Sequence, residues 1–507
     1  MTLLGNSHRY NMMKKALLII TIILITFVVI ARSQNISFNT VSMLLNVMTG
    51  RGIDSPETET VGSRLQVPNG FSVDVYARNL PNARFITMTA NGDLLITRPH
   101  KGDVVMIRAG ATPTQSGERL TLLTELTRPS GIAVHQGWLY IGEADSVGRI
   151  AFNETTGEIH GQYQKIINGL TAGGNHPYKQ IKIGPDNKLY LSQGSTCNVC
   201  IEEDTRRATM SRYNLDGSGE ELVASGLRNT MGFDWAPWNN DLYGTDNGRD
   251  LLGDDYPPCE FNKIEMGKFY GWPYFNGANN KDPDFTNAPA QLAANPIAPA
   301  HEFRAHNAPL GMTFVNNKQW PKKYQQSALV ALHGSWNRSI PDGYRVVSLQ
   351  WQGDKIVRED FFSGFEKLGD VIGRPVDVTQ GPNGAVYISD DYAGVIYRIV
   401  YGEPQQVISA VVTSKPEPFV LRQPDWLTKA NRSTLIKKGQ DLFQQYECKS
   451  CHIAKSAVGK MDLSTVAKRL QYNDVIEQLT NPSPPMPTFP LTLADKRALA
   501  TFLLKSE

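Results

Sequence analysis

Two familiar enzyme signatures are missing from this 507-residue sequence. No GxGxxG segment follows a predicted strand and no nucleophile elbow is present, so neither a nicotinamide or flavin fingerprint nor an α/β-hydrolase site is indicated. Net charge is nearly absent too, at +2, which gives no reason to expect nucleic acid as a partner. Hydrophobic residues at 41% and charged residues at 20% are ordinary globular usage, which excludes collagen-like, wholly disordered and polytopic membrane classes.

The length is sufficient for more than one domain, and the charge is divided along the chain. Residues 1–34 contain four basic residues and no acidic one, giving +4. Residues 430–507 hold eleven Lys and Arg against seven Asp and Glu, again +4, which leaves −6 for residues 35–429. An acidic body lies between two basic ends, so we expect the basic C-terminal part to dock on that body or on a separate acidic partner.

Residues 16–31 form an uncharged apolar run of sixteen residues directly after Lys14 and Lys15. A membrane span needs about 17 to 25 residues and a signal-peptide core about 7 to 15, so the length lies between the two. Because the small-residue signature of a cleavage site is poor at 29–31, we predict an uncleaved transmembrane anchor within residues 1–34. A cleaved signal and a buried core helix are the alternatives. Residues 35–64 show little periodicity and are expected to form a tether.

A turn followed by a strand recurs six times in the middle of the chain, and such self-similarity indicates a repeat fold. The six segments are NGDLLIT (91–97), HQGWLYIGE (135–143), GPDNKLYLSQG (184–194), WNNDLYGTDNG (238–248), QQSALVALHG (325–334) and GPNGAVYISDD (381–391). Most are followed by a second strand, such as GDVVMI (102–107) or GVIYRI (394–399).

The spacing of these segments predicts the architecture. If Leu95, Tyr140, Tyr190, Tyr243, Val330 and Tyr387 are equivalent, the intervals between them are 45, 50, 53, 87 and 57 residues. Several strands in 45 to 55 residues are typical of propeller blades, so we predict a mainly β fold, a six-bladed β-propeller, over 65–402. The long fourth interval predicts an insertion near 250–310, and insertions in repeat folds collect on one face, often the functional one. A tandem of immunoglobulin-type domains is the alternative, but its Cys–Trp–Cys spacing is missing.

The C-terminal part carries a c-type haem motif. Residues 403–430 are expected to be a linker, and the helical pattern after it predicts a small all-α domain over 431–507. Within it, Cys448, Cys451 and His452 form C-x-x-C-H, in which the two thiols attach the porphyrin and the imidazole ligates iron.

Met486 is the expected second axial ligand of this haem c. A thioether opposite an imidazole suits an electron carrier, and Met461 is the competing ligand. The order helix, CxxCH, Pro-rich segment, Met and final helix resembles class I cytochrome c. That resemblance implies haem attachment outside the cytoplasm, and hence catalytic domains that face the periplasm from the inner membrane, or an exported protein if the N-terminal segment is cleaved.

Three cysteines lie outside this motif. Cys197 and Cys200 form a second C-x-x-C, for which redox catalysis, a zinc half-site and a short disulfide compete. The absence of a second cysteine pair in the propeller and an oxidising compartment favour a structural disulfide. Cys259 has no predicted role.

The propeller sequence is similar to the pyrroloquinoline quinone (PQQ) dependent sugar dehydrogenases, and most closely to their L-sorbosone dehydrogenase-like branch. The segments that carry the similarity are GGNHPYKQIKIGPDNKLYLSQGSTCNVC (173–200), RRATMSRYNLDGSGEELVASGLRNTMGF (206–233), NGRDLLGDDYPP (247–258), KFYGWP (268–273), HGSWNR (333–338) and GRPVDV (373–378). The similarity spans nearly all of 65–402 and implies oxidation of a sugar, sugar aldehyde or alcohol, with PQQ and Ca²⁺ as cofactors.

The resemblance also assigns residues by position. His176 matches the catalytic base of the family, and an imidazole suits removal of a hydroxyl proton. Asn175 precedes it where the glucose-oxidising relatives have Asp, so the base is expected to be oriented differently. Arg228 and Asn229 match the pair that meets the quinone oxygens, where a guanidinium binds and stabilises negative charge.

The remaining assignments are PQQ contacts and a cation loop. Arg374 and Arg338 are the other expected PQQ contacts, although the family more usually has Lys at the latter position. The carbonyl oxygens of Gly248 and Arg249 are the expected Ca²⁺ ligands, because hard oxygen donors suit this ion. The alternatives are surface ion pairs for the arginines and a metal-free acidic loop.

Taken together, these predictions describe a membrane-tethered quinohaemoprotein dehydrogenase. Its electrons are expected to pass through haem c to a respiratory acceptor, a cytochrome or an oxidase. A Ca²⁺-dependent propeller lactonase or related hydrolase is one alternative, but it would leave the haem without a purpose. A non-enzymatic binding propeller that carries an electron-relay cytochrome is the other. The arginines expected around His176 favour the dehydrogenase by analogy with the family.

Overall fold

A computed structural model describes residues 52–402 except 354 and, beyond these, 421, 423–424, 426–446, 448, 463, 466, 470–480 and 489–505. The chain divides into two compact units, Met1–Ile408 and Ser409–Glu507. Among the described residues, no helix is both long and apolar enough to cross a bilayer. The anchor predicted within residues 1–34 lies outside the described residues.

The first unit is built mainly from four-stranded antiparallel sheets, which we call blades. Helix α1 (Thr58–Arg64) and strand β1 (Phe71–Ala77) precede the first blade. Each blade is given from its first strand outwards. Blade 1 contains β2 Ile86–Met88, β3 Leu94–Arg98, β4 Asp103–Ala109 and β5 Ser116–Leu123, and blade 2 contains β6 Ile132–His135, β7 Trp138–Gly142, β8 Val147–Asn153 and β9 Glu158–Ile167. Blade 3 contains β10 Lys179–Ile183, β11 Leu189–Gln193, β12 Thr209–Tyr213 and β13 Glu221–Ser225.

The other blades are interrupted by short strands. Blade 4 contains β14 Thr230–Trp235, β15 Leu242–Asp246, β16 Cys259–Ile264 and β20 His301–Phe303, and between its last two strands lie β17 Lys268–Phe269, β18 Phe275–Asn276, β19 Asn280–Lys281 and helix α2 (Ala290–Ala293). Blade 5 contains β21 Pro309–Phe314, β22 Ser327–Leu332, β23 Arg345–Gln352 and β24 Lys355–Phe362, with helix α3 (Lys322–Gln325) between its first two strands. Blade 6 contains β27 Pro375–Gln380, β28 Val386–Asp390 and β29 Val395–Tyr401, and the short strands β25 Glu366–Lys367 and β26 Asp370–Val371 precede it.

The blades form a closed ring. Their first strands, β2, β6, β10, β14, β21 and β27, contact one another in turn around a central channel. Strand β1 becomes the outermost strand of blade 6 by pairing antiparallel with β29, where Phe71 is opposite Tyr401. The described part of this unit is therefore a six-bladed β-propeller, which confirms the propeller part of the predicted fold class.

The predicted repeat corresponds to one strand of each blade. The six equivalent residues all lie on second strands: Leu95 on β3, Tyr140 on β7, Tyr190 on β11, Tyr243 on β15, Val330 on β22 and Tyr387 on β28. The blades pack face to face, so central strands are covered on both sides. Strand β22, for example, is buried at all six positions, which explains its continuous apolar sequence SALVAL.

The long fourth interval contains two separate segments. Residues 247–258 connect β15 to β16 at one end of the ring, whereas residues 265–300 leave blade 4 from the opposite end. The second segment supplies β17, which pairs in parallel with β13 and extends blade 3. Asp282 of this segment reaches back to the first one, because its carboxylate accepts two hydrogen bonds from Arg249 at 2.8 and 2.9 Å.

The described residues of the second unit are mainly helical. They form α4 (Lys429–Gln445), α5 (Tyr472–Thr480) and α6 (Leu493–Leu503). Capping boxes formed by Thr428 with Asn431 and by Thr492 with Asp495 begin α4 and α6.

Helices α4 and α6 approach each other closely at Gly439. A Cβ atom at this position would lie 2.1 Å from the Ala498 carbonyl oxygen. Lys438 and Asp495 form an ion pair at 2.8 Å between the same helices. Glycine is therefore the residue that permits this crossing.

Candidate active site

The propeller residues predicted from the resemblance all lie at one end of the ring, which we call the site face. In each blade the first strand begins where the second strand ends, as the pairing of Lys179 with Gln193 illustrates in blade 3. Loops that precede first strands and loops that follow second strands therefore share one face. These loops carry His176 before β10, Arg228 and Asn229 before β14, Gly248 and Arg249 after β15, Arg338 after β22 and Arg374 before β27.

The tautomer of His176 follows from its hydrogen bonds. Its Nδ1 atom lies 2.9 Å from both the carbonyl oxygen and the Oγ atom of Ser195. The Ser195 hydroxyl donates its own proton to the Cys197 carbonyl oxygen at 2.7 Å, so both Ser195 oxygens act as acceptors. Nδ1 is therefore the protonated nitrogen of the neutral ring, and Nε2 carries the free lone pair of a base.

The electrostatic surroundings keep this ring neutral. Burial and the nearby charge of Arg228 lower the pKa of His176 to about 3, although Asp250 acts in the opposite direction. An imidazole with this pKa is unprotonated at neutral pH. His176 thus has the charge state and the tautomer that a proton acceptor requires.

Gly194 allows His176 and Asn229 to approach each other. A Cβ atom at Gly194 would lie 2.4 Å from Asn229 Oδ1 and 2.7 Å from His176 Cβ. Both distances are shorter than real carbon contacts, so no larger residue fits without displacing one of the two side chains. Gly194, which directly follows β11, thereby lets two predicted site residues come together.

Two buried cations hold the loop of His176, and the sequence did not identify either. Arg207, 2% exposed, donates to carbonyl oxygens at 2.5 to 3.0 Å. The acceptors are the carbonyl oxygens of Thr171, His176, Gly194 and Ser195. Fully buried Lys179 donates to Thr171 and Pro177, and burial lowers its pKa to about 7.

The guanidinium of Arg228 is held by neutral acceptors on two loops. Its Nε and Nη2 atoms donate to the carbonyl oxygen and Oδ1 of Asn198, both at 2.9 Å, and its Nη1 donates to the Asn247 carbonyl oxygen at 3.0 Å. The carboxylate of Asp250 is more distant, at 3.4 Å. Arg228 is 4% exposed, so its direction is fixed, and its ion pair with Asp250 compensates its charge in part.

A repeated aspartate fixes the backbone of two predicted arginines. Asp246, the last residue of β15, accepts the backbone N–H of Arg228 at 2.8 Å. Asp390, the last residue of β28, accepts the backbone N–H of Arg374 at 3.0 Å. Burial raises the pKa of both carboxyls to about 7. The sequence prediction did not include these two aspartates. Each lies three residues after the repeat tyrosine of its blade, and this shared position could have revealed them in the sequence.

Arg374 belongs to a chain of contacts that crosses the site face. It donates to the carbonyl oxygens of His333 at 3.0 Å and Gly334 at 2.7 Å. His333 is hydrogen-bonded to Asp391 at 2.8 Å, and Asp391 pairs with Arg84. The guanidinium of Arg84 lies 4.8 Å from the ring centre of Tyr178, two residues after His176. Blade 6 is thereby connected to blade 3.

Arg338 lies on the same face but contacts a different loop. It pairs with Asp255 at 2.9 Å and donates to the carbonyl oxygen of Asp254. These contacts tie the loop after β22 to the loop after β15.

The predicted cation loop is rich in carbonyl oxygens. A Cβ atom at Gly248 would lie 2.5 Å from the Pro258 carbonyl oxygen and 3.3 Å from that of Pro257. The charge of the Arg249 side chain is neutralised elsewhere, by Asp282 and Asp284 at 2.8 Å. The carbonyl oxygens of Pro257 and Pro258 thus lie beside Gly248, and oxygen donors of this kind suit Ca²⁺.

Two polar atoms of predicted PQQ contacts have no partner within the described part of the chain. They are Oδ1 of Asn229 and Nη1 of Arg374, and both are buried. Buried polar atoms are normally hydrogen-bonded, so unpaired ones at a predicted site indicate a missing ligand. One acceptor and one cationic donor fit a polyanionic quinone such as PQQ, which has both carboxylates and an N–H group.

The cysteines have different environments. Cys197 and Cys200 form a disulfide, which confirms the structural interpretation of this C-x-x-C pair. Cys259 is buried, and burial raises the pKa of its thiol. Cys448 is partly buried just after α4. The other predicted haem residues, Cys451, His452 and Met486, lie outside the described residues.

Solved structures share the fold of the propeller unit. The PQQ domain of pyranose dehydrogenase from Coprinopsis cinerea aligns with a TM-score of 0.56 and 21% identity, covering 66% of this chain and 97% of that one. At this identity the likeness shows a common fold.

Sequence comparison identifies the family. Residues 140–398, slightly more than half of the chain, match the family model described as Glucose / Sorbosone dehydrogenase. The chain belongs to this family of PQQ-dependent sugar dehydrogenases. An uncharacterized protein of Borreliella burgdorferi is 34% identical over 364 residues, covering 68% of this chain and 92% of its own. The aldose sugar dehydrogenase YliI of Escherichia coli is 27% identical over 303 residues, covering 55% and 76%.

Proposed function

We propose that the chain is a membrane-tethered quinohaemoprotein dehydrogenase that oxidises a sugar, a sorbosone-like sugar aldehyde or an alcohol. The observation that carries this proposal is the neutral His176 ring, whose Nδ1–H bonds to Ser195 leave Nε2 unprotonated and whose pKa the charge of Arg228 helps to lower. The family match favours a dehydrogenase over the hydrolase and the binding propeller.

The residues of the site face fit PQQ. Asn229 Oδ1 and Arg374 Nη1, which are unpaired among the described residues, would contact it, and Arg228 would face its quinone oxygens. Arg338 would help to close the site through its loop contacts. The carbonyl oxygens of Gly248 and Arg249 would hold Ca²⁺. PQQ, when bound, supplies a two-electron acceptor for the substrate hydride.

The role of His176 is to accept the hydroxyl proton of the substrate at Nε2. As hydride leaves the carbinol carbon, the O–H bond breaks and the proton moves to Nε2, so the product carbonyl forms without an alkoxide in the site. The Nδ1–H bond to Ser195 fixes the ring during this transfer. Because Arg228 disfavours the protonated ring, the proton is released readily to water and the base is restored.

The C-terminal unit would carry haem c. Cys448 and Cys451 would bind it covalently, with His452 and Met486 as iron ligands, and a haem bound there would supply a one-electron carrier towards a respiratory acceptor. The sequence motif supports this proposal, as do α4 before it and α6 after it. The apolar run at residues 16–31 would attach the protein to the inner membrane, facing the periplasm.

One reconstitution experiment tests both halves of this proposal. The haem-loaded protein is given PQQ and Ca²⁺ and then aldoses, sorbosone and simple alcohols, while an artificial dye and the reduced-haem absorbance are monitored in parallel. We expect both signals with at least one substrate. Absence of dye reduction across the panel would refute the dehydrogenase. Dye reduction without haem reduction would refute only the relay.

A further inference from the structure

The disulfide loop Cys197–Cys200 lies between the two central groups of the site. Its residue Asn198 uses its carbonyl oxygen and Oδ1 as acceptors for Nε and Nη2 of Arg228, both at 2.9 Å. These two donors lie along one edge of the guanidinium, so the pair of bonds fixes the plane of that group as well as its position.

The same asparagine also fixes the loop that follows β15. Asn198 Oδ1 accepts the backbone N–H of Asp250 at 2.8 Å, and its Nδ2 donates to the Asp250 carbonyl oxygen at 3.1 Å. Every polar group of the side-chain amide is therefore used. Asn198 connects the loop of Arg228 with the loop that carries Gly248 and Arg249.

The loop contacts the base as well. The carbonyl oxygen of Cys197 accepts the Ser195 hydroxyl at 2.7 Å, and Ser195 in turn accepts from His176. On the other side, Glu202 receives two hydrogen bonds from Thr196, both at 2.7 Å. The disulfide closes the short segment between these anchors, so it restricts the two carbonyl groups that face Ser195 and Arg228.

The neutrality of Asn198 has a consequence for the charge of the site. A carboxylate at this position would also orient Arg228, but it would form an ion pair and cancel the positive charge. An amide and a backbone carbonyl orient the guanidinium without adding negative charge to that of Asp250, which lies 3.4 Å from it. Arg228 therefore remains able to bind an anionic ligand and to lower the pKa of His176.

We propose that Asn198 is a positioning residue, which orients Arg228 without adding a second carboxylate beside that of Asp250, and that the Cys197–Cys200 disulfide holds Asn198 in place. This inference rests on the proposed function, because it assigns a purpose to the orientation and charge of Arg228. It goes further in naming a residue and a covalent bond on which the binding of the anionic quinone depends.

The decisive variant is Asn198→Asp, which is nearly isosteric. Two measurements are made without turnover: PQQ affinity by fluorescence titration, and the pKa of His176 by ring NMR in the PQQ-free protein. Because the new carboxylate compensates Arg228, we expect PQQ to bind about tenfold or more weakly and the pKa of His176 to rise. Besides Arg228, the charges that act on His176 are those of Arg207 and Asp250, and this substitution removes neither.

Two further variants and a control complete the test. Asn198→Ala and the Cys197→Ser/Cys200→Ser pair should each weaken PQQ binding about ten- to a hundredfold and lower kcat, with little change in KM for the sugar. Glu203→Gln, on an exposed side chain of the same segment, should match the wild type in every measurement. If a variant does not fold, as judged by its melting temperature, Asn198→Asp alone decides.

The outcomes separate this inference from the proposed function. An unchanged His176 pKa and unchanged PQQ affinity in Asn198→Asp would overturn the role of Asn198. Failure of the wild type to oxidise any sugar would overturn the proposed function, whereas the turnover-free measurements would still decide the role of Asn198. If the wild type binds no PQQ, the His176 pKa decides alone.

Discussion

The guanidinium of Arg207 donates to the carbonyl oxygen of His176 at 2.8 Å and to that of Ser195 at 3.0 Å. The backbone of the base and the backbone of its hydrogen-bonding partner are thus held by one buried cation. Arg207→Met would remove the guanidinium donors of both carbonyl oxygens and would leave Ser195 with the His176 Nδ1–H donor alone. We expect the free energy of unfolding to fall by about 3 kcal/mol, measured by urea denaturation.

The neighbouring arginine provides the control for that variant. Arg206 pairs with Asp204 at 3.1 Å near the surface, where ion pairs contribute about 0 to 1 kcal/mol. Arg206→Met should therefore change the unfolding free energy by less than about 1 kcal/mol. Equal losses in the two variants would contradict the role assigned to Arg207.

Removal of the base is the direct test of the mechanism. His176→Gln cannot accept a proton, so we expect kcat in the dye-linked assay to fall by about 100- to 10,000-fold. PQQ binding should be retained, which titration of the variant checks. His160→Gln alters an exposed histidine on β9 and should leave turnover unchanged. A variant at position 176 that keeps its activity would place the base elsewhere.

Gly194 offers a test of the close approach beneath the base. A Cβ atom there would collide with Asn229 Oδ1 and His176 Cβ, so we expect Gly194→Ala to weaken PQQ binding and lower turnover by about tenfold or more. Gly173→Ala is the matched control, because a Cβ atom at that position meets nothing within 4 Å. Equal effects of the two substitutions would argue against a specific contact.

The charge state of His176 predicts a pH dependence. Burial and Arg228 lower its pKa to about 3 in the folded protein, against about 6.5 in an unfolded chain. Since the folded state binds this proton more weakly, the contribution of His176 to stability is complete above pH 6.5 and is lost as the pH falls towards 3. Ring NMR of the PQQ-free protein should give a midpoint well below 6.5, with His176→Gln assigning the signal. A midpoint near 6.5 would contradict this picture.

The proposed haem ligands can be distinguished by substitution. Met486→Ala should lower the haem reduction potential, because a thioether ligand raises it, while dye-linked sugar oxidation continues. Met461→Ala is the matched control and should leave the potential unchanged. The opposite pattern in a potentiometric titration would assign the ligand to Met461.

The sequence predicted the propeller fold better than it predicted the buried residues that hold the site loops in place. Second strands were found because turn and strand recur around residues such as Tyr190 and Tyr387, whereas β1 was not assigned to blade 6 because its partner β29 lies more than 300 residues away. Resemblance located His176 and Arg228. Arg207, by contrast, acts through backbone carbonyl groups of distant loops, and no local pattern reveals such partners.

The pairing of Phe71 with Tyr401 has a consequence for biogenesis. The last blade takes its outermost strand from the beginning of the propeller, so the ring is complete only after Tyr401 has left the ribosome. A site drawn from blades 3 to 6 matures at that late moment. Cofactor insertion must therefore follow synthesis of the whole propeller, and truncation at either end would open the ring.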